Sequence, residues 1–373
     1  MRRLALALVL AHFVAACAGP SVQQEAAHAP AAAVWRAPVP IDAVVVERAP
    51  RAALAPVTID ELPAGFAAFA FTRGDGTRGL AYADAPSGAP FATRKPLLLW
   101  CEGSGAQSVF RRTPRGFSSG LFGYLSAEWG DRFHVVVCEK RGVAFAEDRE
   151  DPGSAGGASR EYHEHATWEG RVGQNCALLD ALLAHPMVDA SQVFVIGHSE
   201  GGDVAAGVAA MRAEVTQVAT LAGAGGCQWA EMMMLVRDEA RRAGEDEATA
   251  ESWVASIEAD LARLMADPDS VDAMLWGHAH RRWTSFGRRT PVDSLLATDA
   301  AIYMAQGTRD TAVPIESFDV VVVELLRHGK RPTVVRVPDA DHGFATPDDT
   351  EQVGILEALD AAVRWSLDAA ARS

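Results

Sequence analysis

One run constrains this chain more than any other: Val193-Phe194-Val195-Ile196-Gly197-His198-Ser199-Glu200-Gly201-Gly202, followed by a stretch of small residues through 211. The β-branched and aromatic residues favour extended backbone. The small residues beyond Gly202 favour a helix. Glycines on either side of Ser199 let the strand turn sharply into that helix, so that the serine hydroxyl stands clear at the top of a sheet. Such a unit is a nucleophile elbow; the competing reading is a serine that merely caps a helix.

The rest of the chain supplies the sheet. Segments 66–72 and 78–83 flank Gly74-Asp75-Gly76, whose glycines suit a tight connection, so this region reads as a hairpin. Segments 97–100, 133–137, 193–196, 218–221, 301–305 and 333–337 are short apolar runs without clean alternation. Strands covered on both faces of a parallel sheet have that pattern. Between them, Val172, Cys176, Leu179, Leu182 and Leu183 recur at helical spacing within 172–185. A hairpin followed by alternating strands and helices predicts an α/β fold, a mostly parallel central sheet with an antiparallel edge and helices on both faces. Residues 227–300 break the rhythm with a charged helical stretch over 238–265, and predict a helical cap over the strand ends. The Gly- and Ser-rich segment 151–159 reads as an exposed loop near the same rim.

A serine needs a base to take its proton, and that base needs an acid to fix its tautomer. The run 301–305 leads into Gln306-Gly307-Thr308-Arg309-Asp310, and the run 333–337 into Pro338-Asp339-Ala340-Asp341-His342-Gly343-Phe344. Ser199, Asp310 and His342 at successive strand tips are therefore the candidate triad. Of the eleven histidines, only His342 closes a late strand beside a glycine. Asp339 and Asp341 are alternative acids, although their nearness to His342 in sequence makes reaching its ring harder, and Asp310 could instead cap the helix after Pro314. His198, inside the elbow, reads as packing beneath it. A tetrahedral intermediate needs two amide donors. One is the N–H of Glu200; the other comes from the loop after 97–100, where Ser104 is assigned, with Gly103 or Gly105 as alternatives and a plain glycine turn as the bland reading. The Glu200 side chain is expected only to complement the positive end of the helix it opens.

Glu102-Gly103-Ser104-Gly105, Gly197 to Gly202, Gly307 to Asp310 and Asp341 to Phe344, in that order, resemble the motifs of the α/β-hydrolase superfamily over roughly 66–365. A glutamate after the nucleophile is similar to its dienelactone-hydrolase-like and prolyl-oligopeptidase-like branches. The resemblance implies the α/β-hydrolase fold and a serine hydrolase that cleaves carboxylic esters through an acyl-enzyme, with no cofactor. A periplasmic peptidase or amidase of the same fold is the alternative, and a binding lipoprotein without activity is the second. The oxyanion segment departs from the superfamily's commoner His-Gly. The strand order implied by the resemblance sets Cys101 beside Cys138, which suggests a disulfide; free buried thiols at these positions and at Cys176 and Cys227 are the other expectation.

The cap's Trp276, His278, His280 and Trp283 either line a substrate pocket or pack helices together. His278 and His280 lack a companion carboxylate or cysteine cluster at metal-site spacing, so no metal is expected. Arg281, Arg282, Arg288 and Arg289 read as a solvated basic face, or as a receptor for an anionic substrate group. The formal charge of −15 disfavours nucleic acid as a partner. It also disfavours adhesion to anionic lipid through a basic face.

Arg2 and Arg3 precede an apolar run through residue 16, which reads as a secretory signal. Val14-Ala15-Ala16-Cys17 resembles the bacterial lipoprotein box. That implies a lipidated Cys17, with Ala18 after it pointing to the outer membrane; cleavage after Ala18 is the competing reading. Residues 17–56 are an Ala- and Pro-rich tether, although 41–46 could pair as an edge strand, and 57–373 form the catalytic domain. The small-molecule ester or peptide substrate is the expected partner.

Overall fold

Strands that are apolar at every position are satisfied only by cover on both faces. The computed structural model, which describes residues 54–86, 88–147, 155–223, 225–351 and 353–371, provides it. The signal segment, Cys17, the tether through 53 and residues 151–154 lie outside the described residues.

The elements in chain order are β1 (Ala55–Val57), β2 (Phe66–Thr72), β3 (Arg78–Asp84), β4 (Lys95–Cys101), β5 (Arg111–Thr113), β6 (Gly116–Ser118), α1 (Gly120–Trp129) and β7 (His134–Cys138). There follow α2 (Arg160–His165), α3 (Trp168–Leu183), β8 (Val188–His198), α4 (Glu200–Met211), β9 (Gln217–Leu221), α5 (Gln228–Ala243) and α6 (Glu247–Ala266). The chain continues through β10 (Met274–Leu275), β11 (His278–Ala279), α7 (His280–Gly287), α8 (Pro291–Ala297), β12 (Ala301–Gly307), α9 (Ile315–Arg327), β13 (Thr333–Val337) and α10 (Gly354–Ala370).

Among the described residues, nine strands form one sheet in the order β1-β2-β3-β7-β4-β8-β9-β12-β13. Strands β7 through β13 in that order pair parallel, and β1, β2 and β3 form the antiparallel edge. The pleat sends alternate residues to opposite faces. Leu97, Leu99, Val193, Val195, Ile302 and Met304 pack on one side, beneath Val172 and Leu179 of α3, Val204 and Val208 of α4, Leu295 of α8 and Phe318 of α9. Leu98, Trp100, Phe194, Ile196 and Tyr303 pack on the other, beneath Phe122 of α1 and Leu359 of α10. Each fully buried aliphatic side chain of this kind contributes about 1.5–3 kcal/mol.

Three expectations change. The end of the tether is not loose, because β1 pairs with β2 in the register Ala55↔Ala70 and covers what would be an open sheet edge. The loop 151–159 is not wholly exposed: Ala155 is buried and its N–H bonds the carbonyl of Gly277 at 2.9 Å, since so small a side chain permits close approach to the cap. The insertion also ends earlier than 300, because α8 places Leu295 in the main core. What remains as a cap is α5, α6, the short β10–β11 pair and α7, built around Trp229, Leu264 and Trp283.

Candidate active site

β8 delivers Ser199 to the rim of the sheet and α4 begins at the next residue. Ser199 has φ 57° and ψ −135°, a backbone state costing about 1–3 kcal/mol outside glycine. Its surroundings enforce it. The Ser199 N–H bonds Leu221 O at 2.9 Å, and the Gly202 N–H bonds Ser199 O at 2.8 Å. A side chain at Gly201 would lie 2.1 Å from the carbonyl oxygen of Cys101, and one at Gly197 would lie 2.0 Å from that of Gly201. Both glycines are therefore fixed by contact, and the elbow is pressed against the end of β4.

Asp310 follows β12 and His342 follows β13, so two adjacent strands bring them together. His342 Nδ1 is 2.9 Å from Asp310 Oδ2 and 3.1 Å from Oδ1. Burial alone would lower the pKa of the ring, but the Asp310 charge and its hydrogen bond outweigh it and raise the imidazole above its ordinary value. Burial opposes ionisation of Asp310 as well, and the same pairing, with donors from the loop, holds that carboxyl below its ordinary value. Oδ1 accepts from the N–H groups of Ala312 and Val313 at 2.7 and 2.9 Å, and Oδ2 accepts from Gln306 Nε2 at 2.6 Å. Gln306, fully buried on β12, orients the acid and was not singled out from sequence. The two alternative acids are engaged elsewhere: Asp339 pairs with Arg309 at 2.8 Å, and Asp341 accepts from the N–H groups of Gly343 and Ala345.

His198 ties this pair to the elbow. Its Nε2 donates to the carbonyl of His342 at 2.8 Å, and the two rings lie 4.7 Å apart. Burial, with His342 close by, pushes its pKa down to about 3, so it is a neutral donor. The loop that carries His342 is thus anchored one residue before Ser199.

The opposite flank of Ser199 is cationic. Glu200 is not merely a complement to its helix: Arg171 Nη1 donates to Oε1 at 2.6 Å, and Arg282 of α7 donates to Oε2 through Nε at 3.1 Å and through Nη2. Burial would raise this carboxyl, but Arg282 and Arg171 hold it down at about 2. The buried pair could not be foreseen from local spacing. Its one signal is a charged residue opening a helix of Gly, Ala and Val with no route to water, which requires a partner. Arg171 Nη2 also donates to the carbonyls of Glu102 and Gly103 at 2.5 and 3.3 Å. Buried Lys140 donates to those of Ser104 and Gly105 at 3.2 and 2.8 Å. This loop lies over the nucleophile, since a methyl group at Gly103 would sit 3.8 Å from Cβ of Ser199.

Of the two readings open for the cap residues, packing is the one that three of the four show. Trp283 donates to Leu275 O, Trp276 to Asp260 and His280 Nδ1 to Asp267 O, so all three serve the packing of the cap. Only His278 lies close enough to Glu200 and Arg282 to interact with both charges, and burial pushes its pKa down to about 3. The basic face is not solvated: Arg282 and Arg289 are buried, and only Arg281 of the four is exposed. Arg282 stacks over Trp283 at 4.0 Å and Phe286 at 4.8 Å, while Arg289 stacks on Trp168 and bonds Glu169. Cys101 and Cys138 are free thiols despite sitting on neighbouring strands, as are Cys176 and Cys227. Burial pushes Cys138 up to about 12 and Cys101 well above its ordinary value, so neither competes as a nucleophile.

A serine at a strained turn, next in sequence to the His198 ring that lies 4.7 Å from an imidazole oriented by a buried carboxylate, supplies the residue types that acyl transfer requires. In fold, the chain is similar to a puromycin-hydrolysing peptidase of Mycobacterium tuberculosis (TM-score 0.52, 15% identity, 83% of this chain and 41% of that one). It is similar to an acylaminoacyl peptidase of Pyrococcus horikoshii (0.51, 12%, 83% and 42%). It is also similar to acetyl xylan esterase 1 of a Thermoanaerobacterium species (0.50, 16%, 85% and 87%). The chain therefore spans less than half the length of those peptidases and most of the length of the esterase. No curated protein matches it significantly in sequence. Residues 129–360, more than half of the chain, match the prolyl oligopeptidase family. The chain belongs to that family and has the α/β-hydrolase fold.

Proposed function

We propose that this protein is a serine hydrolase that cleaves carboxylic esters through an acyl-enzyme on Ser199. The observation that carries the reading is the 2.9 Å contact of His342 Nδ1 with Asp310, on a loop anchored beside the elbow. With Nδ1–H committed to Asp310, Nε2 is the basic nitrogen of the ring. It takes the Ser199 proton as Oγ attacks the ester carbon, and the developing oxyanion faces the N–H of Glu200 and the 103–105 loop, with Ser104 as its assigned donor there. His342 then returns the proton to the departing alcohol. A water, deprotonated by the same nitrogen, releases the acid.

Charge favours the ester over a peptide gripped by its amino terminus. Such a grip needs a carboxylate beside the serine, and Glu200 is already neutralised by two arginines. Nearby Asp203 is pushed up by burial and by Glu231, and Glu231 is itself raised to about 7 by burial, which weakens either as a partner for an ammonium group. The peptidase reading draws on the family and on the peptidases of similar fold.

A short-chain aryl ester and a fluorophosphonate probe test the proposal. Turnover and labelling are expected with the native protein and lost in Ser199→Ala, and their survival there would remove the reading. A matched dipeptide amide separates the two substrates, with ester preference expected. We propose further that Cys17 carries a lipid that holds the protein at the outer membrane; palmitate incorporation that persists in Cys17→Ser would refute it.

A further inference from the structure

Four successive carbonyls in the loop after β4 accept from only two cations: those of Glu102 and Gly103 from Arg171, and those of Ser104 and Gly105 from Lys140. In a trans peptide the N–H of the following residue points opposite to the carbonyl. Drawing four carbonyls toward the cations therefore turns the N–H groups of Gly103, Ser104, Gly105 and Ala106 the other way. None of these four donates to another group among the described residues. Successive amides facing one side form a concave site for negative charge.

Arg171 also reaches the second donor. Glu200 is the first residue of α4, so its N–H has no carbonyl one turn behind it within the helix. Its side chain is held by Arg171 Nη1, while Nη2 of the same guanidinium holds the loop. One rigid planar fork thus spans the elbow and the loop, which the flexible point charge of a lysine could not do. Both cations are buried, Arg171 on α3 and Lys140 just beyond β7. Burial in low dielectric strengthens their hold on the carbonyls.

We propose that Arg171 and Lys140 are positioning residues that set the oxyanion site of this enzyme, Arg171 by fixing its two halves relative to one another and Lys140 by fixing the far end of the loop. The inference rests on Ser199 being the nucleophile. Their effect is confined to the stage at which charge develops on the carbonyl oxygen, so substrate affinity is left nearly intact.

The test uses the full chain, an aryl ester and an alkyl trifluoromethyl ketone. In the adduct, the Ser199 oxygen bonds the ketone carbon, its proton passes to His342 and the ketone oxygen takes the negative charge. Losing a single oxyanion donor costs about 10²–10³-fold in kcat. Arg171→Met is expected to lower kcat by that order, Lys140→Met by about tenfold or more, and both to leave KM within about threefold. Affinity for the ketone should fall by the same factor as kcat/KM. Arg171→Lys, which keeps the charge and loses the fork, should fall between native protein and Arg171→Met, and it decides the matter if Arg171→Met does not fold. Native kcat in these variants, loss carried by KM alone, or loss of kcat with ketone affinity unchanged would each overturn the inference. Full turnover in Ser199→Ala would instead remove the functional reading beneath it.

Discussion

The two flanks of Ser199 are built on opposite principles. On the side of β12 and β13, an acid and a base meet at 2.9 Å, and among the described residues the other donors to Asp310 are neutral amides. On the side of α3 and α7, three cations surround the elbow and the loop beside it, with Glu200 in their midst. The first flank moves a proton and needs groups that titrate in the working range. The second holds charge in place around the elbow, although burial and the nearby Arg171 lower Lys140 to about 8. Arg282 and Arg171 pin Glu200 as an anion, while Asp310 raises His342 above its ordinary value.

The comparison can be broken most sharply at Asp310. Asp310→Asn should lower kcat by about 10⁴-fold with the fold intact, because the tautomer of His342 is then wrong. A drop below about tenfold would pass the role of acid to another carboxylate. Glu200→Gln removes the anion between two buried guanidiniums and should destabilise the fold by about 3–5 kcal/mol in denaturant titration. The pH dependence has a defined sign. The folded pKa of Glu200, about 2, lies below its ordinary 4.5, so its contribution is complete above 4.5 and fades as pH falls toward 2. Glu200→Gln should lack that dependence.

His342 gives the opposite limb. Its pKa is raised above the ordinary 6.5 and its neutral form is the base, so kcat/KM should fall with acid through a midpoint above that value. Asp310→Asn should move the midpoint down; an unmoved midpoint would assign the limb to another group. The smallest effect is expected at Asp339→Asn, which removes only the exposed pair with Arg309 and should leave kcat within about twofold.

The proton-transfer flank was legible in the sequence because each of its residues closes a strand, and a strand end in an alternating α/β chain has a predictable neighbour. Ser199, Asp310 and His342 follow from that logic. The cationic flank was not legible. Arg171 sits within a helix that is buried almost all round and also carries buried Gln174, Asn175 and Asp180, so no apolar stripe marks which polar residue faces the site. Arg282 belongs to a run of arginines that by composition suggested a solvated face, and its partner lies 82 residues away. Pairings at such separations have no period. The sequence left the cap residues between two readings for a related reason: Trp276, His280 and Trp283 each bond a group within the cap, whereas a sequence shows only that they are near one another.

Arg282 makes the cap a moored structure rather than a hinged one. The guanidinium rises from α7, lies against Trp283 and Phe286, and ends on the residue next to the nucleophile. Swinging α7 outward would break the Arg282–Glu200 pair and leave Glu200 in dry surroundings with half its counter-charge, a penalty of several kcal/mol.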